Sequence, residues 1–176
     1  GFRLVVAVTT AFAPRTHAVE AQTLRIENLT DRPRTISVFS YAMFQLTGRD
    51  KEGNGVGKDN YAEVVPDIGG VFVTNRNRFC PTDRFKGYLV ALDGFVNGNG
   101  YRDHFLRSEF SVGTPRILWG YNCDGRPGFG PDCAGVVQVK IELAPNATGR
   151  ADFILGQASD LDEVKRVRGA FTPQKL

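Results

Sequence analysis

Alternating apolar and polar residues define the clearest element of the chain, a strand at about residues 136–143. One face of this extended segment carries Val137, Val139, Ile141 and Leu143, and the other carries Gln138, Lys140 and Glu142. A period of two with polar residues on one face is typical of a half-buried strand. Turn-forming residues precede it at Gly130-Pro131-Asp132 and follow it at Pro145-Asn146, and a further strand is predicted at about 150–155.

The same kind of pattern predicts strands at 2–12, 17–28, 34–46, about 70–74, 86–92 and 105–112. Segment 34–46 is apolar on both faces, which favours a central strand covered on two sides. Between the strands, the sequence predicts a polar, glycine-rich loop at residues 47–60, a tight turn or loop at 97–100 and irregular chain at 113–132. The predicted fold class is an all-β, antiparallel β-sandwich of about eight to ten strands.

A helix is predicted only at the end of the chain. Ser159-Asp160 provides a capping residue with acids following it, and Leu161, Val164 and Arg168 are spaced for a short amphipathic turn. Gly169 and Pro173 end the pattern. We therefore expect a sandwich domain over residues 1–158 and the start of a helical linker over 159–176.

The composition of the chain argues against a nucleic-acid partner and a membrane span, and it favours reduced cysteines. The chain has 176 residues, 41% hydrophobic and 23% charged, with a net charge of +3. Its arginines are scattered, so no nucleic-acid partner is expected. No apolar run approaches the roughly 20 residues of a membrane span. The odd cysteine count (Cys80, Cys123 and Cys133) and the lack of a basic leader favour a cytoplasmic protein with reduced thiols, although one bridge between two of them stays possible.

No catalytic or metal site follows from the spacing of reactive residues. His17 and His104 stand in no metal-binding spacing, and no Gly-x-Ser-x-Gly elbow is present. Aspartates that an inverting glycosidase could use all lie beside turns, where Asp usually serves the backbone: Asp83, Asp93, Asp103, Asp124 and Asp132. We predict no catalytic residue, no metal and no cofactor in this chain.

Three loop segments combine aromatic rings with planar polar groups, the mixture that binds sugars. They are Asn60-Tyr61-Ala62-Glu63, Tyr101-Arg102-Asp103-His104 and Trp119-Gly120-Tyr121. The candidate substrate-binding residues are Asn60, Tyr61, Glu63, Arg102, Asp103, Trp119 and Tyr121. The alternative is structural: the aromatic rings close the ends of the sandwich, and Arg102 and Asp103 hold a loop.

Several stretches, in order, resemble the N-terminal sandwich of the cellobiose-phosphorylase-like family of inverting glycoside phosphorylases (glycoside hydrolase family 94). Leu24–Arg34 with Val38-Phe39-Ser40-Tyr41 resembles the family's strand, turn and return strand. Tyr101-Arg102-Asp103-His104-Phe105-Leu106 is similar to its Asp-Arg-Asp-x-Phe-Leu-Gly segment, with Tyr101 in place of the first Asp and Arg107 in place of the Gly. Val112-Gly113-Thr114-Pro115 and the strand from Asp132-Cys133-Ala134-Gly135 follow in family order.

The resemblance implies a non-catalytic part of a larger carbohydrate-active enzyme. In that family an (α/α)6 barrel carries the general acid, and inorganic phosphate, the co-substrate, cleaves a β-glucosidic di- or oligosaccharide to an α-sugar 1-phosphate. The chain would then support the barrel, one wall of the acceptor site and a homodimer. The family's Asn-aromatic-Gln-Arg segment corresponds to Asn60-Tyr61-Ala62-Glu63, where the cation is lost, so the acceptor sugar stays open.

Two other functions remain open beside the resemblance. One is a self-standing carbohydrate-binding module that uses Tyr61, Tyr101, Trp119 and Tyr121 as its platform. The other is a structural or assembly domain without a ligand.

Overall fold

A computed structural model describes residues 5–13, 18–46, 59–76, 86–107, 111, 113–120 and 122–171. Within these residues, the elements in chain order are ten strands and two helices: β1 (Val5–Phe12), β2 (Val19–Asn28), β3 (Arg34–Met43), β4 (Asn60–Val65), β5 (Gly70–Asn75), β6 (Lys86–Ala91), β7 (Phe95–Tyr101), α1 (Arg102–Phe105), β8 (Gly128–Phe129), β9 (Cys133–Leu143), β10 (Thr148–Ala158) and α2 (Leu161–Ala170). Short 3-10 turns lie at Pro66–Ile68, Arg116–Trp119 and Gly130–Asp132.

The strands form two antiparallel sheets. One has seven strands in the order β1-β2-β10-β6-β5-β4-β8, and the other has three in the order β3-β9-β7. The patterned strand of the sequence is therefore the centre of the smaller sheet, where Val137 pairs with Ser40 on one side and Gly98 on the other. The predicted antiparallel β-sandwich is confirmed.

Three layers of apolar side chains hold these elements together. The largest lies between the sheets and includes Val137 and Val139 of β9, which face Leu89 and Phe153 of the larger sheet. All four are at most 3% exposed. Burial of apolar area of this kind contributes roughly 25 cal/mol per Å², so this layer contributes directly to the folding free energy.

The second layer covers the outer face of the larger sheet. Helix α2 packs Val164 and Val167 onto this face. Its start is capped as the sequence predicts: Asp160 accepts the backbone N–H of Glu163 at 2.8 Å, and Glu163 accepts that of Ser159 at 2.6 Å. Arg168 donates to the Ala91 carbonyl at 3.1 Å. The helix is thus part of the packed structure, and the predicted domain boundary at residue 158 stays a prediction.

The third layer covers the outer face of the smaller sheet and supports the candidate site. Phe105 of α1 stacks on Tyr41 of β3 with ring centroids 4.7 Å apart. Leu106, Ile117 and Cys123 complete this layer against Val136 of β9. Because α1 and the segment 115–123 cover β9 from outside, both faces of its first half are buried.

Four details of the sequence interpretation are wrong. Strand β3 lies at an edge of its sheet and not at its centre. Residues 97–100 are part of strand β7, not a tight turn. Of the predicted strand 105–112, Phe105 ends α1 and residues 106, 107 and 111 are not strand, while 108–110 and 112 lie outside the described residues. Strand β4 starts at Asn60, at the end of the predicted loop, and was not predicted.

Within the described part of the chain, no helix is long and apolar enough to cross a membrane.

Candidate functional site

The first predicted group lies on β4, at one side of the larger sheet. The Tyr61 ring contacts two neighbours: the Arg76 guanidinium carbon is 3.5 Å from its centroid, and the centroid of the Phe129 ring is 4.9 Å away. Phe129 is 58% exposed. Glu63 follows on the same face, where alternation along β4 places it two residues from Tyr61. These four residues, which we call the Tyr61 patch, combine two aromatic rings with a cation and a carboxylate; Arg76 and Phe129 are exposed, and Tyr61 and Glu63 are half-buried.

Asn60 belongs to the other face of β4 and is only 2% exposed. Its Nδ2 donates to the Phe44 carbonyl at 3.3 Å, and its Oδ1 accepts from Asn75 Nδ2 at 3.0 Å. Asn75 in turn donates to the Leu46 carbonyl at 2.6 Å. The amide of Asn60 is therefore used inside the fold, where it ties the end of β3 to β4 and β5.

The second predicted group lies on α1. Arg102 Nη1 is 3.9 Å from Asp132 Oδ1, and both side chains are about 40% exposed (41% and 43%). Burial raises the pKa of the Tyr41 phenol, and the positive charge of Arg102, together with a hydrogen bond from its side chain, partly opposes that rise. Arg102 thus joins α1 to the β8–β9 connection. Asp103 is exposed and borders a separate cleft.

The third group is represented by Trp119, because Tyr121 lies outside the described residues. Trp119 ends a 3-10 turn and is 72% exposed, and the preceding Leu118 is 61% exposed. Leu118 borders an apolar groove of about 480 Å³ that also contains Phe39, Tyr41 and Phe105. Helix α1 contacts the turn Arg116–Trp119, so the second and third groups are neighbours, whereas the first group lies on β4 of the larger sheet.

Sequence reasoning missed a small polar cleft next to α1, which we call the His104 cleft. Its volume is about 200 Å³. Its charged lining residues are Asp103, Asp124, Arg116 and Arg126, and its neutral ones are His104, Asn99 and Asn122. Of these, only Asp103 is among the predicted candidate residues.

The floor of the His104 cleft is fixed by buried amides. Asn99 Oδ1 accepts the backbone N–H groups of Asp124 and Arg126 at 3.1 and 3.2 Å. Gln138 of β9 accepts the backbone N–H of Cys123 at 3.0 Å and donates to Asn122 Oδ1 at 2.7 Å. Because both amides sit on strands of the smaller sheet, segment 122–126 is held against a rigid element.

His104 has the most unusual environment in the cleft. Its Nδ1 is buried and has no hydrogen-bond partner in the structure described. Burial lowers the pKa of the imidazole; Asp124 and Asp103 raise it, whereas Arg126 lowers it. The pKa therefore lies below the ordinary value of about 6.5, and the ring is neutral at pH 7. A neutral imidazole offers one donor and one acceptor.

The cleft's ion pair is compact. Arg126 Nε lies 2.6 Å from Asp124 Oδ2, with side chains 64% and 46% exposed. A pair this exposed contributes little to stability, at most about 1 kcal/mol. Its effect is to orient both groups at the mouth of the cleft.

The two described cysteines are not reactive centres. Cys123 and Cys133 are free and buried. Burial raises the pKa of Cys123 to about 12 and that of Cys133 to about 11. Both therefore remain thiols at neutral pH, which makes them poor nucleophiles and poor metal ligands. Cys133 is a small, fully buried residue at the start of β9.

The described residues also include no cluster of three or more His, Cys, Asp or Glu side chains that could hold a metal ion. Asp152 is a buried carboxylate, but it accepts from Arg150 Nε and Thr23 Oγ1, both at 2.7 Å. Both oxygen contacts lie within the larger sheet, so the carboxylate of Asp152 is used inside the fold.

One sequence pattern could have indicated the cleft. Asn97-Gly98-Asn99-Gly100 looks like a turn, but its alternation places Asn99 among buried glycines on β7. An amide between glycines on a buried strand has to find backbone partners, and here they are the N–H groups of the 124–126 segment.

Comparison with known proteins agrees with this architecture. Residues 5–173 match the family described as "Glycosyl hydrolase 94, supersandwich domain". Among curated relatives, N,N'-diacetylchitobiose phosphorylase of Vibrio furnissii is 26% identical over 166 residues. The alignment covers 93% of this chain and 20% of the relative, so the chain spans about a fifth of the length of that protein. The chain belongs to the glycosyl hydrolase 94 supersandwich domain family.

Proposed function

We propose that the chain is the non-catalytic sandwich domain of a glycoside phosphorylase. The enzyme cleaves a β-linked disaccharide or oligosaccharide of glucose or N-acetylglucosamine with inorganic phosphate, and it releases an α-sugar 1-phosphate. The observation that carries this proposal is the family match over nearly the whole chain, together with similarity to one fifth of a disaccharide phosphorylase. The domain supports the catalytic part of the enzyme and contributes to the wall of its acceptor site and to a dimer.

The chemistry of the described residues supports a non-catalytic role. An inverting phosphorylase needs a protonated carboxylic acid next to the glycosidic oxygen. Ser159 donates hydrogen bonds to Asp160 and Glu163, and backbone N–H groups donate to both, so the pKa of each carboxyl is lowered. Asp152 is held as an ion pair with Arg150. The catalytic acid is expected in another part of the enzyme.

The surface next to the 3-10 turn Arg116–Trp119 supports contact with a further domain. Leu118 is 61% exposed beside the apolar groove of about 480 Å³. Exposed apolar groups at the border of an apolar groove commonly mark an interaction surface. Under this proposal, the barrel or the dimer partner covers Leu118.

The test is a phosphorolysis assay on the full translation product of the reading frame that encodes this chain. Cellobiose and N,N'-diacetylchitobiose serve as substrates, with and without phosphate, and sugar 1-phosphate is measured. Phosphate-dependent release by the full product, with none from the 176-residue chain, is expected. Absence of phosphate-dependent cleavage of β-linked disaccharides would contradict the proposal.

A second candidate, a self-standing carbohydrate-binding module, is favoured by the exposed rings of Phe129 and Trp119. It predicts saccharide binding by the isolated chain and no phosphorolysis by the full product. The same assay, combined with a saccharide titration, separates the two functions.

A further inference from the structure

We infer that the His104 cleft is a subsite for one uncharged pyranose ring. This inference rests on the proposed function, since it gives that function a specific sugar-contacting place in this domain. The cleft lies on the outer face of the smaller sheet, beyond α1, and apart from the Tyr61 patch. It is built from buried amides and a partnerless imidazole nitrogen.

The size of the cleft limits its ligand to one ring. Sites for drug-sized ligands occupy about 300–1,000 Å³. At about 200 Å³, the His104 cleft is smaller than that range. A single pyranose ring fits this scale, and the rest of a disaccharide would extend past the mouth, where Asp103, Asp124 and Arg126 are exposed.

Its charges favour a neutral ligand over phosphate. The two guanidinium groups, of Arg116 and Arg126, are balanced by the two carboxylates of Asp103 and Asp124. Arg126 is also already paired with Asp124 at 2.6 Å. An anion would gain no net attraction and would face two carboxylates, whereas sugar hydroxyls can donate to the carboxylates and accept from the guanidinium groups.

His104, which lines the cleft, carries an unsatisfied hydrogen-bonding group. Its Nδ1 is buried without a partner, and an unpaired buried polar atom is costly. The Tyr101 ring contacts the imidazole edge-on, with centroids 5.5 Å apart, which limits how the ring can turn. A sugar hydroxyl serves either tautomer, because it both donates and accepts.

The experiment follows amide signals of the isotopically labelled 176-residue chain by NMR. The probes are methyl β-D-glucopyranoside, the methyl β-glycoside of N-acetylglucosamine, cellobiose and inorganic phosphate. We expect the sugars to shift the amides of His104, Asp124 and Arg126, and phosphate to leave them unchanged. Phosphate shifts at these amides, or sugar shifts confined to the Tyr61 patch, would overturn the inference.

Variants test the role of the imidazole. His104→Phe is expected to weaken sugar binding by about tenfold or more, because the buried hydrogen bond is lost. His104→Asn keeps a polar group near the position of Nδ1 and is expected to retain most of the affinity. Asp124→Asn is expected to weaken binding at a cost of at most about 1 kcal/mol in stability, because the exposed pair with Arg126 is lost. Asp67→Asn, on the α2 side of the molecule, is the matched control. Equal affinity of all four variants would overturn the inference.

Failure of the subsite and failure of the proposed function give different results. If the full translation product performs phosphorolysis but His104→Phe binds sugars as the unaltered chain does, the inference of a sugar subsite at His104 is wrong and the proposed phosphorylase function is retained. If the cleft binds sugars as expected but no phosphorolysis occurs, the enzyme class is wrong and the subsite stands. Thermal unfolding of each variant establishes that any loss of binding occurs in a folded protein.

Discussion

Gln138, fully buried on the central strand β9, accepts the backbone N–H of Cys123 at 3.0 Å. The same side chain donates to Asn122 Oδ1 at 2.7 Å and to Ser37 Oγ at 3.2 Å. The polar face of β9 is therefore covered at this point, and its one buried amide holds the segment that forms the His104 cleft. This contact links the core of the smaller sheet to the candidate sugar subsite.

Replacement of Gln138 by Leu tests that link. The apolar side chain fills similar space but leaves the buried N–H of Cys123 without an acceptor, so we expect a loss of about 1–3 kcal/mol in the free energy of unfolding. Urea denaturation measures the loss, and faster hydrogen exchange at the Cys123 amide locates it. Gln157→Leu, at an exposed position of β10, is the control and should change stability by less than about 0.5 kcal/mol. Equal stability of both variants would show that the Gln138 contact is not structural.

Gly128 and Gly169 should respond in opposite directions to substitution by Ala. A Cβ on Gly128 would lie 1.7 Å from the Gly100 carbonyl oxygen, so the β7 and β8 backbones would have to separate. We expect Gly128→Ala to cost about 3 kcal/mol or more. Gly169 lies in α2 with nothing within 4 Å of a new Cβ, and Gly169→Ala should stabilise by up to about 1 kcal/mol.

Thermal and chemical denaturation of the two glycine variants give the comparison. A Gly128→Ala protein as stable as the unaltered chain would contradict the close approach of β7 and β8. A destabilised Gly169→Ala protein would contradict the placement of α2.

Cys123 and Cys133 should resist alkylation in the folded protein. Their pKa values, raised by burial to about 12 and about 11, leave almost no thiolate at pH 8. Iodoacetamide treatment followed by peptide mass spectrometry should find both unmodified until denaturant is added. Rapid modification of either in the native protein would contradict its burial.

The raised thiol pKa values also predict a loss of stability in alkaline solution. Above the ordinary thiol pKa of about 8.5, the unfolded chain releases these protons while the folded chain keeps them. The contribution of the two thiols to the free energy of unfolding is therefore complete below that pH and declines as the pH rises. Replacing Cys123 by Ala, which removes one of the two groups, should reduce the decline measured by urea denaturation between pH 8 and 10.

The burial of His104 predicts that the free energy of unfolding depends on pH in the acid range. Burial lowers its pKa in the folded state, with Asp124 and Asp103 opposing and Arg126 adding to the shift. The unfolded chain therefore binds a proton first as the pH falls below about 6.5, and stability declines from there toward the lower folded pKa. His104→Asn should remove this part of the decline, measured by urea denaturation between pH 7 and 5. An unchanged profile in that variant would contradict the burial of the imidazole.

The pattern of the sequence predicts most of the fold because strand alternation reports which face is buried. It does not report which strands are neighbours. Strand β3 is apolar on both faces because Phe39 and Tyr41 lie under Phe105 on the outside. Its position at the edge depends on hydrogen bonding within the sheet, which side-chain pattern does not specify.

The glycines of β7 explain why residues 97–100 were predicted as a turn and why the His104 cleft was not predicted. Gly98 and Gly100 resemble turn residues, but they are required for close approach: a Cβ on Gly98 would lie 2.7 Å from the Val136 carbonyl oxygen. Residues Asn99, His104 and Asp124 are brought together by this tight crossing, across a separation of more than twenty positions. No local pattern carries such long-range geometry, so only Asp103 of the cleft was predicted.

Product analysis by NMR tests the central claim most directly. The full translation product is incubated with cellobiose or N,N'-diacetylchitobiose and phosphate, and the anomeric signals of the first products are recorded. Membership in the glycosyl hydrolase 94 supersandwich family and the proposed phosphorylase function predict an α-sugar 1-phosphate that forms only when phosphate is present. Free reducing sugar formed equally without phosphate, or a β-configured phosphate ester, would contradict the account.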